Sequence, residues 1–241
     1  MVNEMKTEYG IVKDKDEIKK MPEEYRIAVA KIVAGHAINE LRGALVFDEP
    51  AIRMAPTPKF KWLVSRNTME EFGHHILFSR LAEDMGVEWK DKKSLSLFDY
   101  PMMNWIDFGA IKAIVDIAEV VELEDLMEAT YIPLKNVAVK TFPEEMFHVG
   151  LGKDILRALL EEDPENVEKI QTAIDRLFPE TLAFFGSANS RNNELFVKCG
   201  LKRRTNTEMR KSYVEKVREV MDELGLRMPR IPEKYAKEID N

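Results

Sequence analysis

Apolar residues recur every three or four positions along most of the chain, with polar residues between them. That period is typical of helices with one buried face, and alternating β-branched runs bounded by turn residues are few. The pattern therefore predicts an all-α fold. The predicted long helices cover residues 22–47, 59–85, 103–129, 133–160, 164–184 and 205–225.

Several residues mark where these helices begin, bend or connect. Pro22 suits the first turn of the first helix, and Thr205 with Glu208 forms the capping-box pattern of the last one. Pro143 lies inside the fourth predicted helix, where it favours a kink or a break. Residues 87–101 form a long connection, as a bundle requires when its chain crosses from one helix pair to the other.

The pentapeptide Glu-Glu-x-x-His occurs twice, at 70–74 and at 144–148, each time inside a predicted helix. A carboxylate and an imidazole three residues apart project from one helix face. Two such helices, joined by two more that each add a carboxylate, make the dinuclear site of a ferritin-like four-helix bundle. The doubled motif therefore predicts this fold and a site for two iron or manganese ions.

Apolar stripes on the four predicted bundle helices each contain one charged position or one motif. Burying an ionised carboxylate is costly unless a metal ion or an opposite charge compensates it. Carboxylates and imidazoles are ligands that suit iron or manganese, whereas zinc sites built on thiolates need cysteines. We expect the four carboxylates among these residues to be catalytic as well, because they take up charge changes during a redox cycle. The predicted metal ligands are Glu40, Glu71, His74, Asp116, Glu145 and His148.

The residues alone leave alternatives open among the carboxylates. Asp116 could instead be a core aspartate paired with a basic residue, in which case Glu119 becomes the ligand of the third helix. Glu70 and Glu144 lie on less apolar stripes than the second glutamate of each motif. A solvated position, or a contact behind the ligands, therefore fits these two better than ligation does.

Two further histidines lie on the same helices. His36 precedes Glu40 by one helical turn, so it is either a support for that ligand or a satisfied core histidine. His75 would need a rotated helix to share a face with Glu71, which favours a supporting or interfacial position.

Composition narrows the function classes. The 241 residues contain 36 Lys and Arg against 43 Asp and Glu, a formal charge of −7, which argues against binding to nucleic acid or anionic membrane. Cys199 is the only cysteine, so the chain alone builds no disulfide and no iron-sulfur cluster. We expect a cytoplasmic protein without signal peptide or membrane span. No dinucleotide-binding or flavin motif is present, so a di-iron centre here would need electrons from a separate reductase.

These motifs, and a tail outside them, resemble the catalytic A subunits of multicomponent phenylacetyl-CoA epoxidases. The resemblance covers about 27–229, although the loop at 184–199 departs from the family pattern, which leaves room for a different acyl group. In that family an aspartate occupies the third-helix ligand position, which falls on Asp116. The matching segments are 35–40 with Gly43, 71–74, 115–116, 144–148, 201–210 and 225–229.

The resemblance implies a di-iron monooxygenase that uses oxygen to epoxidise an aromatic ring carried as a CoA thioester. It also implies an NADPH-dependent reductase with flavin and iron-sulfur centres, a companion ferritin-like structural subunit, and a homo- or hetero-oligomer. Other readings of the same ligand set are a radical subunit like that of ribonucleotide reductase, a catalase, or iron storage.

The remaining expectations concern organisation and the CoA site. Residues 1–20 are expected to form an amino-terminal arm, 21–185 the bundle, and 186–241 a helical extension packed on it, within one domain. The extension carries Lys202, Arg203 and Arg204, a basic triplet in an acidic chain. It is either a solvated cap or subunit contact, or a binding site for the CoA phosphates, since Arg and Lys pair well with phosphate oxygens.

Overall fold

The computed structural model describes residues 8–90 and 93–239, and within them the expected all-α fold is confirmed. None of the helices in this described part is long and apolar enough to cross a membrane. The α-helices are α1 (Lys15–Ile18), α2 (Glu23–Gly43), α3 (Glu49–Met54), α4 (Pro58–Asp84), α5 (Trp105–Ala110), α6 (Asp116–Leu126), α7 (Ile132–Glu162), α8 (Asn166–Phe184), α9 (Arg191–Lys198), α10 (Asn206–Leu224) and α11 (Glu233–Ile239).

Local signals in the sequence explain where the principal helices begin and end. Thr57 caps α4 by accepting a hydrogen bond from the Phe60 amide at 3.2 Å. The capping box of α10 forms as predicted, and Gly225 ends that helix with φ of 66°, a left-handed conformation that glycine adopts without strain. The predicted helices 59–85, 133–160, 164–184 and 205–225 agree with α4, α7, α8 and α10 within two residues.

The predictions were less accurate for the first and third predicted helices, because each contains a π-turn, a single turn of π-helix. The predicted end at Phe47 is wrong, because α2 continues through the first π-turn (Ala44–Asp48) directly into α3. The second π-turn (Ile111–Val115) joins α5 to α6 within the predicted helix 103–129. Such turns insert an extra residue, shift the register of the side chains around them, and occur often at functional sites. Pro143 does not break α7, and the short helices α1, α9 and α11 were not predicted. Helix α1 lies in the segment 1–20 that was expected to be an arm, of which residues 1–7 are outside the described part of the chain.

The bundle consists of two helix pairs that also contact each other. The rod α2–α3 lies along α4, the rod α5–α6 lies along α7, and α4 contacts α7. Helices α8 and α10 pack against the α5–α6 rod, where the Tyr213 ring contacts those of Phe178 and Phe185. The amino-terminal segment is tied to the turn between α6 and α7, since the Val12 amide donates to Thr130 and its carbonyl accepts from Ile132, both at 2.9 Å.

Gly152 allows α7 to approach the second π-turn closely. A Cβ atom at this position would lie 2.2 Å from the Ala113 nitrogen and 2.5 Å from the Lys112 carbonyl carbon. Backbone atoms cannot move aside as a flexible side chain can, so only glycine fits. Two residues earlier, a Cβ atom on Gly150 would meet nothing within 4 Å.

We therefore expect Gly152→Ala to destabilise the metal-free protein by at least about 2 kcal/mol, because overpacking forces helix and π-turn apart. Gly150→Ala is the matched control, and it should stabilise the same helix by up to about 1 kcal/mol. Urea unfolding followed by circular dichroism measures both. Equal stabilities for the two variants would contradict the close approach.

Candidate metal centre

The six predicted ligands come together in the interior of the bundle as two overlapping groups. Each group contains one unshared carboxylate, one histidine and two shared glutamates, with the donor atoms of a group all within 4.8 Å of one another. The six side chains are at most 11% exposed. The first group is Glu40, Glu71, His74 and Glu145, and the second is Glu71, Asp116, Glu145 and His148.

The helices place these side chains as the motif spacing predicts. Glu71 with His74 projects from α4 and Glu145 with His148 from α7, while α2 supplies Glu40 and α6 begins at Asp116. His74 Nδ1 lies 2.9 Å from a Glu145 oxygen, and His148 Nδ1 lies 3.2 Å from a Glu71 oxygen. Each histidine thus faces the shared glutamate of the opposite helix, which makes the arrangement nearly symmetric.

The first glutamate of each motif contacts the histidine of the other motif. His74 Nε2 lies 2.8 Å from Glu144, and His148 Nε2 lies 3.1 Å from Glu70, which also accepts a hydrogen bond from Arg66 at 2.8 Å. A carboxylate at the outer nitrogen fixes ring orientation and tautomer, and it leaves Nδ1 for a metal ion. Glu70 and Glu144 therefore contact the candidate ligand histidines from behind, which was one of the two positions expected for them.

A buried ammonium group borders the second group of ligands. Lys112 Nζ lies 2.8 Å from Glu71, 3.0 Å from Asp116 and 2.9 Å from Asp48. Asn67 donates a further hydrogen bond to Asp48 at 3.0 Å. Sequence reasoning missed Lys112 and Asp48 as site residues, although Lys112 is the one charge in an apolar run from Phe108 to Val115.

The crowded charges shift the pKa values of the ligands. Burial raises the pKa of Glu40 to about 7, because its contacts with His36 and His74 offset the desolvation only in part. Burial also raises the pKa of Asp116, against the opposing charge of Lys112. For His74 burial acts in the other direction, but the nearby carboxylates of Glu145 and Glu40 outweigh it and raise the pKa. The carboxylates around the His74 ring thus stabilise its protonated, cationic form.

The donor set fits a pair of divalent metal ions. Four buried atoms of the two groups contact charged neighbours at 2.9 to 3.2 Å without forming hydrogen bonds of normal geometry: Asp116 Oδ2, Glu145 Oε1, His74 Nδ1 and His148 Nδ1. Such atoms are costly inside a protein unless something else satisfies them. Four carboxylates and two imidazoles favour iron or manganese, and Glu71 and Glu145 belong to both groups.

Comparison with known proteins identifies the family. The family model described as phenylacetic acid catabolic protein matches residues 5–240. The chain belongs to this family. It is also 30% identical to the A subunit of 1,2-phenylacetyl-CoA epoxidase from Escherichia coli (strain K12), over 87% of this chain and 71% of that protein. The family resemblance inferred from the motifs is therefore confirmed.

A solved structure agrees with the fold. The match is a Bacillus halodurans protein provisionally described as a class I ribonucleotide reductase, with a TM-score of 0.64 at 14% identity. It covers 94% of this chain and 90% of the other. At 14% identity, this similarity shows that the two proteins share a helical fold, and nothing more.

His36 and Glu119 lie beside the first group of ligands. His36 Nδ1 is 2.9 Å from Glu119 and 3.9 Å from Glu40, and the His36 ring stacks on Phe78 with centroids 4.6 Å apart. Glu119 thus contacts the histidine next to Glu40 and belongs to neither of the two ligand groups. His36, Glu40 and Glu119 have donor atoms close enough to form a further group of candidate ligands.

His75 contacts the neighbouring helix instead of the ligand groups. Its Nδ1 atom lies 2.7 Å from the Ala37 carbonyl oxygen, and its ring meets Trp89 edge-on with centroids 4.8 Å apart. It thus takes the interfacial position that was one of its two expected roles.

The basic triplet of this phenylacetic acid catabolic chain is engaged by acidic side chains. Lys202 pairs with buried Glu122, and Arg203 is half exposed and lies 2.7 Å from Glu128. Arg204 donates to Asp125 at 2.6 Å and to the Val121 carbonyl at 2.6 Å. These ion pairs join the segment 202–204 to α6 and the turn after it, so they agree with a structural role for the triplet. Contact of the three residues with CoA stays a prediction.

Two adjoining cavities approach the ligands. The inner cavity, about 50 Å³, lies between ligand carboxylates and an apolar wall that includes Gly43 and Phe98. The outer cavity, about 310 Å³, opens toward the surface beside His36 and Lys202. Asn39 and Phe184 line both cavities and mark the place where they meet.

We expect anaerobic iron loading to approach two ions per chain, with losses that depend on whether the removed ligand is shared. Of the two groups that share Glu71 and Glu145, Glu40→Ala touches only the first and should retain about one ion, whereas Glu71→Ala touches both and should retain less. His148→Ala should also lose at least one ion. Metal analysis after desalting measures the content.

His75→Ala is the matched control, because it removes a histidine from the same helix without touching either group. It should load like the unaltered chain. Full loading of both Glu71→Ala and His148→Ala would contradict the assignment of the ligands.

Proposed function

We propose that this chain is the metal-bearing catalytic subunit of an oxygen-dependent monooxygenase. Its substrate would be an aromatic acyl group resembling phenylacetyl and carried as a CoA thioester, and the product an epoxide or a hydroxylated ring. The observation that carries the proposal is the pair of buried ligand groups sharing Glu71 and Glu145. The E. coli relative that is called an epoxidase subunit supports the choice of reaction and substrate.

The protein side chains would hold and orient two iron ions, or manganese ions, through Glu40, Glu71, His74, Asp116, Glu145 and His148. The bound metals would supply the chemistry of oxygen reduction. The four carboxylates of this set would absorb the change of charge during a cycle, as predicted for catalytic residues. Glu70 and Glu144 keep both imidazoles oriented, because each contacts the outer nitrogen of one ring.

Lys112 holds a fixed positive charge against this set. Its ammonium group contacts Glu71 and Asp116 in the interior, where charge interactions are stronger than in water. Burial opposes the charged form of Lys112, but Asp116, Asp48 and Glu71 raise its pKa well above the ordinary value. The lysine therefore stays protonated and limits repulsion among the carboxylates.

Sustained turnover would need other proteins. The one cysteine of the chain builds no electron-transfer cluster, so we propose an external NADPH-dependent reductase with flavin and iron-sulfur centres. We also propose a companion ferritin-like subunit in a homo- or hetero-oligomer. The support is that the E. coli relative is itself described as one subunit of an epoxidase.

The outer cavity is our proposed binding site for the part of the CoA thioester next to the acyl group. Its size falls within the range of small-molecule pockets, about 300–1,000 Å³, and it leads toward the candidate metal centre. Lys202 lines this cavity, which supports a contact between this residue of the triplet and the thioester.

The assay for the whole proposal follows the mass of the product formed from phenylacetyl-CoA under isotopically labelled oxygen gas. We expect one labelled oxygen atom in the product, and only when the metal-loaded chain is combined with the reductase and the companion ferritin-like protein. The chain alone should not turn over repeatedly, because nothing re-reduces its metals. Formation of hydrogen peroxide without any oxidised thioester would favour the catalase or storage readings.

The CoA contact of the triplet is tested with single variants. Lys202→Ser and Arg203→Ser should each raise the Michaelis constant for the thioester, by roughly tenfold if a charge-assisted hydrogen bond to phosphate is lost, while metal content stays unchanged. Arg204→Ser is unsuited to this test because Arg204 bonds both the buried Asp125 and the Val121 carbonyl. Lys202→Ser leaves the buried Glu122 unpaired, so its Michaelis constant is compared together with its thermal midpoint. Unchanged Michaelis constants in both folded variants would leave the triplet a structural role.

A further inference from the structure

The inner cavity is too small for an aromatic ring in the conformation that the structure describes. Its volume is about 50 Å³, whereas a cavity of about 150 Å³ in a protein interior accommodates benzene. Yet this cavity is the space in contact with Glu40, Glu71, Asp116 and Glu145. An aryl group that is oxidised at these ligands must therefore displace part of the cavity wall.

The wall differs in how firmly its parts are held. Phe47, Ile111 and Val115 belong to the π-turns of the bundle rods and are buried. Phe98 belongs to a short 3₁₀ turn, Ser96–Asp99, in the connection between α4 and α5, and its side chain is only partly buried. Moving a ring on a connecting segment disturbs fewer packed contacts than moving a bundle helix. Phe98 is consequently the part of the wall that yields most easily.

Gly43 sets how closely Phe98 approaches the bundle. A Cβ atom at position 43 would lie 3.3 Å from Phe98 Cε1, which is tighter than an ordinary contact. The Phe98 ring also packs against Phe47, with centroids 5.9 Å apart. A methyl group at Gly43 would both occupy the cavity and press on the ring that has to move. The Phe98 ring thus limits the size of the cavity, whereas the missing side chain at Gly43 leaves space in it.

We infer that Phe98 and Gly43 determine the size of the acyl group that reaches the candidate metal centre. The inference rests on the proposed function, since it assigns a specificity role at the same site. Phe98 acts as the movable wall against which an aryl group is accommodated, and the absence of a side chain at Gly43 leaves room for that movement.

The test compares the dissociation constants of phenylacetyl-CoA and butyryl-CoA for the metal-loaded chain, measured by calorimetry. Gly43→Ala should shift the ratio toward butyryl-CoA by about tenfold, as one methylene-sized change in a pocket does. Phe98→Ala should shift it toward phenylacetyl-CoA by at least about as much, because it removes a whole ring from the wall. Phe60→Ala is the matched control, because it removes a partly buried phenylalanine that lines neither cavity. Its ratio should equal that of the unaltered chain.

The same ratio is measured with phenylacetamide and butyramide by ligand-observed NMR, because these carry the acyl groups without CoA. If the thioesters fail to bind but the amides shift as described, the acyl-CoA proposal fails and the size filter stands. Unchanged ratios for both ligand pairs in Phe98→Ala and Gly43→Ala, with metal content and thermal midpoint preserved in at least one variant, would overturn the inference. Failure of the unaltered chain to bind any of the four ligands would overturn it as well.

Discussion

The structure depends on the burial of several negative charges within one small volume. The ligands and Asp48 carry five negative charges when ionised, and Lys112 contributes one positive charge among them. Each isolated charge would cost several kcal/mol in such a place. Two divalent cations would balance the remaining four charges. The interior is therefore suited to cations, and metal binding and stability of the bundle should be linked.

This charge balance requires backbone irregularities that an ideal bundle lacks. Asp48 is the last residue of the first π-turn, and Lys112 lies in the second, so the two π-turns bring an ion pair into the interior beside the ligands. Gly152 supports the arrangement, since its missing side chain lets the backbone of α7 reach the second π-turn. The same close approach carries His148 and Glu145 toward the opposing helices. A local packing requirement at one glycine thus contributes to the geometry of the whole site.

The parts of this architecture that follow from helical period were accessible from the sequence. Side chains three and four residues apart share a face, so apolar stripes and a doubled motif were enough to predict which six side chains come together. Lys112 and Asp48 could not be placed in this way, because a π-turn breaks the period on which the argument depends. The short helices α9 and α11 were not predicted for another reason: they have too few turns for the spacing of apolar residues to show a helical period.

The two ligand groups are alike in composition but differ in their surroundings. Beyond Glu40 lies the His36 and Glu119 pair, where burial opposes the charged imidazole and Glu119 outweighs it, raising the pKa of His36 to about 10. Beyond Asp116 lies the ammonium group of Lys112, held by three carboxylates. Glu40 thus has two imidazoles as its nearest cationic neighbours, whereas Asp116 is in direct contact with a buried ammonium group. If two metal ions bind here, these neighbours would be the main difference between their surroundings, because the candidate ligands are the same in kind at both ends.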